Sequence, residues 1–258
     1  MRFDLKADGM LSLADVAPML PEDMKIDLRG IARGTMKMRF LYSQLMNFEF
    51  DKMKADGDFR VSDFSAVYDT LTAITRYADL KFQLPALSGD FMSFQLKSDR
   101  LQVQQGDSTS AILKVLNLNA STSNLMDSTL AMVFRVDGKA DALEAAMGRE
   151  TILSGGLNLA AMVKENKDTT ANSLSWIPEG HIRLKDANLR LTALEPELLI
   201  PTLDVDFTPD ALTIKDSRLQ MGYSDFNLKG SLSNLDAYLN DKGLLKGVFD
   251  FTSSTTDV

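Results

Sequence analysis

The stretch Thr129-Leu130-Ala131-Met132-Val133-Phe134-Arg135-Val136 shows most cleanly the pattern that decides the fold. Leu130, Met132, Phe134 and Val136 are two residues apart and fall on one face of an extended chain. The same period of two returns in Phe3 and Leu5, Ile26 and Leu28, Phe59 and Val61, Leu80–Leu84, Phe94 and Leu96, Leu101 and Val103, and Leu203–Phe207. Strict alternation is typical of antiparallel strands that bury one face, so the sequence predicts a mainly β protein.

Helical signals are few and short. The spacing predicts a short helix from Asp63 to about Leu71, a second at Asp141–Met147 ended by Gly148, and a third at Asn234–Leu239. Ser12 is suited to cap a further helical turn. All four are expected to be minor elements between strands.

A short internal repeat carries a Lys–Asp centre. Leu184–Leu191 and Ile214–Met221 share this form, and Leu96–Val103 has a similar one. We interpret each segment as a strand, a polar turn and a second strand, and therefore predict that Leu184–Leu191 and Ile214–Met221 each fold as a hairpin.

A longer repeat runs without a gap through two parts of the chain. Phe134-x-Val136-x-Gly138 corresponds to Phe226-x-Leu228-x-Gly230, and Gly155-x-Leu157-x-Leu159 to Gly247-x-Phe249-x-Phe251. Between these pairs, Leu143-x-Ala145-x-Met147 corresponds to Leu235-x-Ala237-x-Leu239. The repeat predicts an extended antiparallel sheet built from strand–short helix–strand units; the alternative is a β-sandwich.

The same organisation predicts three regions. Residues 1–163 form an N-terminal region of β repeats, residues 164–178 a polar linker or loop, and residues 179–258 a C-terminal β repeat unit. The polar run from Lys164 to Asn172 is the basis for placing the linker there.

Composition excludes several functions. The 258 residues carry a net charge of −8, which disfavours a nucleic-acid partner because binding to phosphates depends on clustered cations. Cysteine is absent, which rules out disulfides and Cys-ligated metals. No stretch approaches the roughly 18 apolar residues of a membrane span, and the start does not resemble a secretory signal. An exported protein would therefore be represented here by an excised fragment.

No motif predicts catalysis, a metal site or a cofactor. His181 is the single histidine and begins an alternating strand, so no catalytic role is assigned to it. The carboxylate pairs Asp56 with Asp58 and Asp204 with Asp206 could bind a hard cation, but are more simply a solvated strand face. The chain is predicted to be no enzyme.

The C-terminal part resembles a known family. Met221–Leu235 is similar to the pattern of AsmA-like proteins in which a strand with Gly222, Gly230 and Asn234 leads into a short helix, and Leu244–Ser253 resembles the strand that follows. The resemblance implies an AsmA/TamB-like protein of Gram-negative bacteria, anchored in the inner membrane through a segment absent from this chain, with its bulk in the periplasm. It also implies that the extended sheet is long and curled with an apolar groove, and that the protein has a non-enzymatic role in outer-membrane biogenesis.

An apolar trough is the remaining functional signal. Fourteen Met and fourteen Phe supply adaptable apolar surface, and an open groove could hold phospholipid acyl chains. The alternative is a structural or protein-interaction module of the cell envelope, with unknown protein partners and no lipid. The predicted groove residues are Phe134, Val136, Leu157, Leu159, Leu203, Val205, Phe207, Phe226, Leu228, Phe249 and Phe251.

Overall fold

A computed structural model of the chain describes residues 2–15, 18, 26–46, 52–84, 92–107, 109–124, 129–148, 151–167, 176–191, 196–239 and 242–256. Most of these residues lie in β-strands, and every described strand pairing is antiparallel. The predicted fold class is therefore confirmed. The chain forms two compact units, Met1–Phe134 and Arg135–Val258.

The first unit is a meander in which each strand pairs with the next along the chain. A 3₁₀ helix, Leu13–Asp15, follows the first strand, and α1, Tyr42–Met46, follows the second. The strands are β1 (Arg2–Ser12), β2 (Ile26–Leu41), β3 (Lys54–Tyr68), β4 (Leu71–Leu84), β5 (Met92–Gln105) and β6 (Thr109–Ser123).

The second unit has the same simple order of strands. One short helix, α2 (Leu235–Leu239), joins the last two strands. The strands are β7 (Val133–Met147, starting at the boundary), β8 (Thr151–Glu165), β9 (Trp176–Leu191), β10 (Leu198–Phe207), β11 (Ala211–Met221), β12 (Ser224–Ser233) and β13 (Lys246–Thr252). Within each unit the described strands form one layer, whereas the alternative β-sandwich required two.

The Lys–Asp segments are bulges and not hairpin turns. Leu184–Leu191 lies inside β9 and Ile214–Met221 inside β11, so the predicted hairpins are wrong. Asp186 has a φ of 49°, and the pairing of β8 with β9 shifts register opposite it. The extra residue turns both Leu184 and Ala187 to the same side, where they pack with Ile200.

The same device recurs in β11, where the pairing with β12 shifts between Ile214 and Ser217. In the first unit, Asp63 (φ 51°) faces Gly30 (φ 121°) at a register shift between β2 and β3. A bulge bends its strand and increases the local twist. The Lys–Asp repeat in the sequence therefore marks a bulge within each of two long strands, β9 and β11.

Two predicted helices are strands. Asp63 to Leu71 belongs to β3 and β4, whose connection at Asp69 has a φ of 53°. Asp141–Met147 continues β7 without a break. The helix expected at Asn234–Leu239 is confirmed as α2, and the turn after Ser12 as the 3₁₀ helix. The strand–helix–strand unit thus occurs at β12–α2–β13 but not at its predicted first copy.

Two boundaries also differ from expectation. β7 begins at Val133, and Leu130 lies in the bend before it with 49% of its surface exposed. The alternation that starts at Thr129 therefore predicts a longer strand than the structure has. The predicted linker at 164–178 spans the connection between β8 and β9, and these two strands pair with each other within the second unit. Residues 168–175 of this segment lie outside the described residues. The observed division falls earlier, at Phe134.

Candidate functional site

The strands of the second unit align their apolar residues on one side. Residues directly opposite each other on antiparallel strands point to the same side of a sheet. One such row crosses six strands and is apolar except for a glycine. It consists of Leu159, Ile182, Val205, Ile214, Gly230 and Phe249. We call this side the second apolar face.

Nine of the predicted groove residues lie on the second apolar face. Phe226 and Phe251 stack there with ring centroids 4.9 Å apart. Phe134 and Val136 share one side of β7, at the boundary of the two units, and Phe134 is 36% exposed. The nine residues that pairing and alternation bring together are Leu157, Leu159, Leu203, Val205, Phe207, Phe226, Leu228, Phe249 and Phe251.

The first unit has an apolar face of its own, which the predicted groove residues missed. Phe3 stacks on Phe40 at 5.3 Å, and Phe59 on Phe82 at 6.1 Å. The signal was present, because the alternation of β1, β4 and β5 is visible in the sequence. One row of this first apolar face consists of Ala7, Met36, Gly57, Phe82, Phe94 and Ala120.

Glycine and phenylalanine are paired across the strands on both faces. Gly57 is opposite Phe82, Gly180 is opposite Phe207, and Gly230 is opposite Phe249. A Cβ added at any of these glycines would lie within 2.3–2.6 Å of a ring atom of its partner. Each ring therefore lies over the bare backbone of a glycine and covers the position where that strand has no side chain.

No second layer covers either apolar face within the described residues. The strands make their extensive contacts with their neighbours in the sheet, and the 3₁₀ helix and α1 contact β2. Large apolar side chains consequently remain accessible, with Phe94 at 39%, Phe249 at 50% and Phe251 at 57% exposure. Each unit thus combines one apolar and one polar side.

The polar side of the first unit carries ion pairs between strands. Arg39 contacts Asp4 at 3.0 Å and Lys81 contacts Asp58 at 2.8 Å. The hydrogen bond that Lys81 donates to the carboxylate of Asp58 raises the pKa of Lys81. These side chains are exposed, so each pair adds little stability. Asp58 thus pairs with a lysine on the neighbouring strand.

The predicted pair Asp204 and Asp206 meets His181 on the polar side of the second unit. Nδ1 of His181 lies 2.8 Å from Oδ1 of Asp206 and 3.3 Å from Oδ1 of Asp204. The sequence did not join these three residues, because strand pairing brings them together. One candidate atom from each lies within 4.8 Å of the others, which is close enough for a shared cation.

The two carboxylates already have positive partners. Lys215 contacts Oδ2 of Asp206 at 2.7 Å, and Arg183 contacts Oδ2 of Asp204 at 2.5 Å. Hydrogen bonds from Lys215 and then from His181 lower the pKa of Asp206. Because a lysine and an arginine balance the two carboxylates, a divalent cation would gain little attraction here. The arrangement is best described as a network of ion pairs between strands.

Comparisons with known proteins found nothing similar. No family model matches the sequence, and no curated protein or solved structure matches it. Within the described residues, no helix is long and apolar enough to cross a membrane. The apolar faces of the two units are therefore the features of the described residues that bear on function.

Proposed function

We propose that this chain is a non-enzymatic, AsmA-like protein of the Gram-negative cell envelope that holds phospholipid acyl chains on its apolar faces. One observation carries the proposal: each unit is a single layer with a continuous apolar face, and no described element lies over that face. In this role the protein would conduct or shield lipid between membranes, in the periplasm, and contribute to outer-membrane biogenesis.

The accessible apolar surface provides the driving force. Burying one methylene group stabilises a complex by about 0.8 kcal/mol, so ten methylenes against such a face would contribute roughly 8 kcal/mol. Part of this gain offsets the lost freedom of the lipid. An acyl chain suits the site because the face is apolar along several strands and offers few polar groups for a more specific ligand.

The residues that resemble the AsmA pattern have structural roles that fit it. Gly222 has a φ of 62° in the turn between β11 and β12, and Gly230 lies under the ring of Phe249. Asn234 has a φ of 67°, and its Nδ2 donates a hydrogen bond to the carbonyl of Leu244. These positions require glycine or a short amide side chain, which supports treating the pattern as a specific resemblance.

A second candidate is a structural or protein-interaction module of the envelope. It is favoured by β13, whose seven residues are all exposed and whose described pairing is with β12 alone. An edge strand of this kind can accept a further strand from another protein. This candidate requires no lipid on the apolar faces.

Adjacent residues on β13 provide a matched test. Phe249 points to the second apolar face, and Val248 points to the other side. Both are exposed, at 50% and 75%, so an aspartate at either position remains solvated and the sheet is expected to fold. Phe249→Asp should greatly reduce labelling by a photo-crosslinkable phospholipid, whereas Val248→Asp should retain it.

Far-UV circular dichroism checks the fold of both variants. Loss of labelling in Phe249→Asp alone, with both proteins folded, supports the acyl-chain function. Equal labelling of the two variants, or no labelling of the parent protein, contradicts it. In the second case the interaction module becomes the better explanation.

A further inference from the structure

The first strand, β1, is an open edge of the first unit. Its described pairing is with β2 alone, and its extensive contacts within the described residues are with that strand. Nine of its eleven residues are exposed. An edge strand presents unpaired backbone N–H and C=O groups, which can pair with a further strand. The side chains of β1 then decide which strand fits.

The polar side of β1 carries charges of alternating sign. Four charged residues follow one another at every second position and so share a side: Arg2, Asp4, Lys6 and Asp8. Asp4 is paired with Arg39 on β2. The other three form no ion pair with any residue that the structure describes. These three charges are therefore available to a partner.

Strand β2 leaves the charges of β1 uncompensated. Lys6 is directly opposite Lys37, and like charges in this position destabilise a sheet. Asp8 is opposite the uncharged Thr35. A strand on the open side of β1 would be stabilising if it placed an anion beside Lys6 and a cation beside Asp8.

A second copy of β1 meets this requirement. Two β1 strands can pair antiparallel with Leu5 opposite Leu5, which is a two-fold symmetric arrangement. Arg2 of each copy then lies opposite Asp8 of the other. Asp4 of each copy likewise lies opposite Lys6 of the other. In this register every charge on the polar side of β1 faces an opposite charge.

The apolar side of β1 matches itself in the same register. Phe3 lies opposite Ala7, so that a large ring meets a small side chain. Leu5 is 45% exposed in the single chain, and its contact with Leu5 of the second copy would remove apolar surface from water. Directly opposite residues point to the same side of a sheet, so the first apolar faces of the two copies would be continuous.

Neighbouring registers lack this match. A shift by two residues in one direction pairs Lys6 with Lys6 and Asp4 with Asp8. The same shift in the other direction pairs Asp4 with Asp4 and Arg2 with Lys6. Both place like charges opposite each other. A shift by one residue sets the polar side of one strand beside the apolar side of the other. The side chains therefore select one register.

We propose that two copies of this chain form a dimer by antiparallel pairing of their β1 strands, with Leu5 at the two-fold axis. Residues 2–8 of the two copies would form about six to eight hydrogen bonds between the chains, because alternate opposite pairs in an antiparallel ladder exchange two bonds each. This interface goes beyond the proposed lipid function and uses a different edge from β13.

Charge reversal at positions 2 and 8 tests both the dimer and its register. Sedimentation equilibrium of the full chain at low salt measures the dissociation constant of the dimer. Arg2→Asp and Asp8→Arg should each weaken the dimer by at least about tenfold. Each variant turns two attractive pairs into repulsive ones, and one cross-strand pair contributes up to about fivefold.

An equimolar mixture of Arg2→Asp and Asp8→Arg should recover the dimer. In a mixed pair, the carboxylate introduced at position 2 of one chain lies opposite the guanidinium introduced at position 8 of the other. The unchanged Asp8 and Arg2 of the two chains also lie opposite each other. Recovery depends on this register, because no other register brings positions 2 and 8 together.

Arg33→Asp and Asp107→Arg are the matched controls. They change the net charge by the same amounts at exposed positions, one in β2 and one in the turn between β5 and β6. Each should dimerise within about twofold of the parent protein, because screening weakens charges at a distance. Their mixture should bind no more tightly than either alone. Circular dichroism checks that all four variants retain the sheet.

The outcomes decide the proposal. Loss in Arg2→Asp and in Asp8→Arg, recovery in their mixture and unchanged controls support it. A parent protein that stays monomeric overturns it. A dimer that survives both reversals overturns it too, because the chains would then use another surface, such as β13. Loss without recovery in the mixture, or equal loss in the controls, shows that the proposed register is wrong.

Discussion

Gly57 offers a direct test of the packing between glycine and phenylalanine. A Cβ at this position would lie 2.3 and 2.6 Å from two ring atoms of Phe82 and 2.8 Å from the ring of Phe59. Contacts below 3.0 Å are not tolerated, so in Gly57→Ala the two rings must move. All three atoms belong to side chains, and the sheet itself can therefore remain intact.

The expected magnitude follows from two opposing effects. Overpacking costs about 1–3 kcal/mol. Replacing glycine by alanine returns about 0.4–1 kcal/mol, because the unfolded chain loses freedom. Gly57→Ala should thus lower the free energy of unfolding by about 0.5–2 kcal/mol. Gly9→Ala is the control: Gly9 lies in β1, and an added Cβ there meets nothing within 4 Å, so the variant should be as stable as the parent or slightly more stable.

Urea denaturation measures both variants. Far-UV circular dichroism follows the strands of both units, and the fluorescence of Trp176, the single tryptophan, follows the second unit. The effect of Gly57→Ala should appear in the circular dichroism signal. A double-mutant cycle with Phe82→Leu should show coupling of at least about 0.5 kcal/mol. Two results would contradict this packing of the Phe82 ring on Gly57. In the first, Gly57→Ala is as stable as Gly9→Ala. In the second, Gly57→Ala lowers the free energy of unfolding by the same amount in the Phe82→Leu background as in the parent protein.

Three further predictions concern single side chains. The pKa of Asp206 is lowered from 3.8, chiefly by Lys215, so its contribution to stability is complete above that pH and is lost as the pH falls through the lower folded value. Lys215→Met should therefore move the acid unfolding of the second unit to higher pH, as measured by tryptophan fluorescence; an unchanged midpoint would contradict the ion pair. Oγ1 of Thr75 lies 2.8 Å from Oγ of Ser98 in a buried site, so Thr75→Val and Ser98→Ala should each cost about 1–2 kcal/mol, and the double variant less than their sum in thermal melts. His181→Ala should abolish no hydrolytic turnover on any ester or peptide substrate tested; a turnover that disappears with this change would show that the protein is an enzyme.

Alternation along the chain was sufficient to predict the antiparallel β class. It also placed Leu203, Val205 and Phe207 on one side of a strand, because successive side chains in a strand point to opposite faces. The helix before β13 was predictable too, since Leu235 and Leu239 have helical spacing after Asn234.

The Lys–Asp segments show where local pattern was insufficient. A polar pair between two apolar runs is compatible with a hairpin turn or with a bulge, and the sequence does not distinguish them. In β9 the choice depends on β8 and β10, which pair with residues on both sides of Asp186 and hold the strand extended through it. The helices predicted at Asp63–Leu71 and Asp141–Met147 are wrong for the same reason. In both segments, pairing with neighbouring strands outweighs the local helical spacing.

The sequence by itself determined which residues can share a face, because that depends on a period of two within one strand. Only the tertiary structure decided which strands are neighbours, and hence which side chains meet. It brought His181 to Asp204 and Asp206, and Arg39 to Lys54, across pairs of consecutive strands. Charges and rings on different strands interact through register, and register is a property of pairs of strands that no single segment contains.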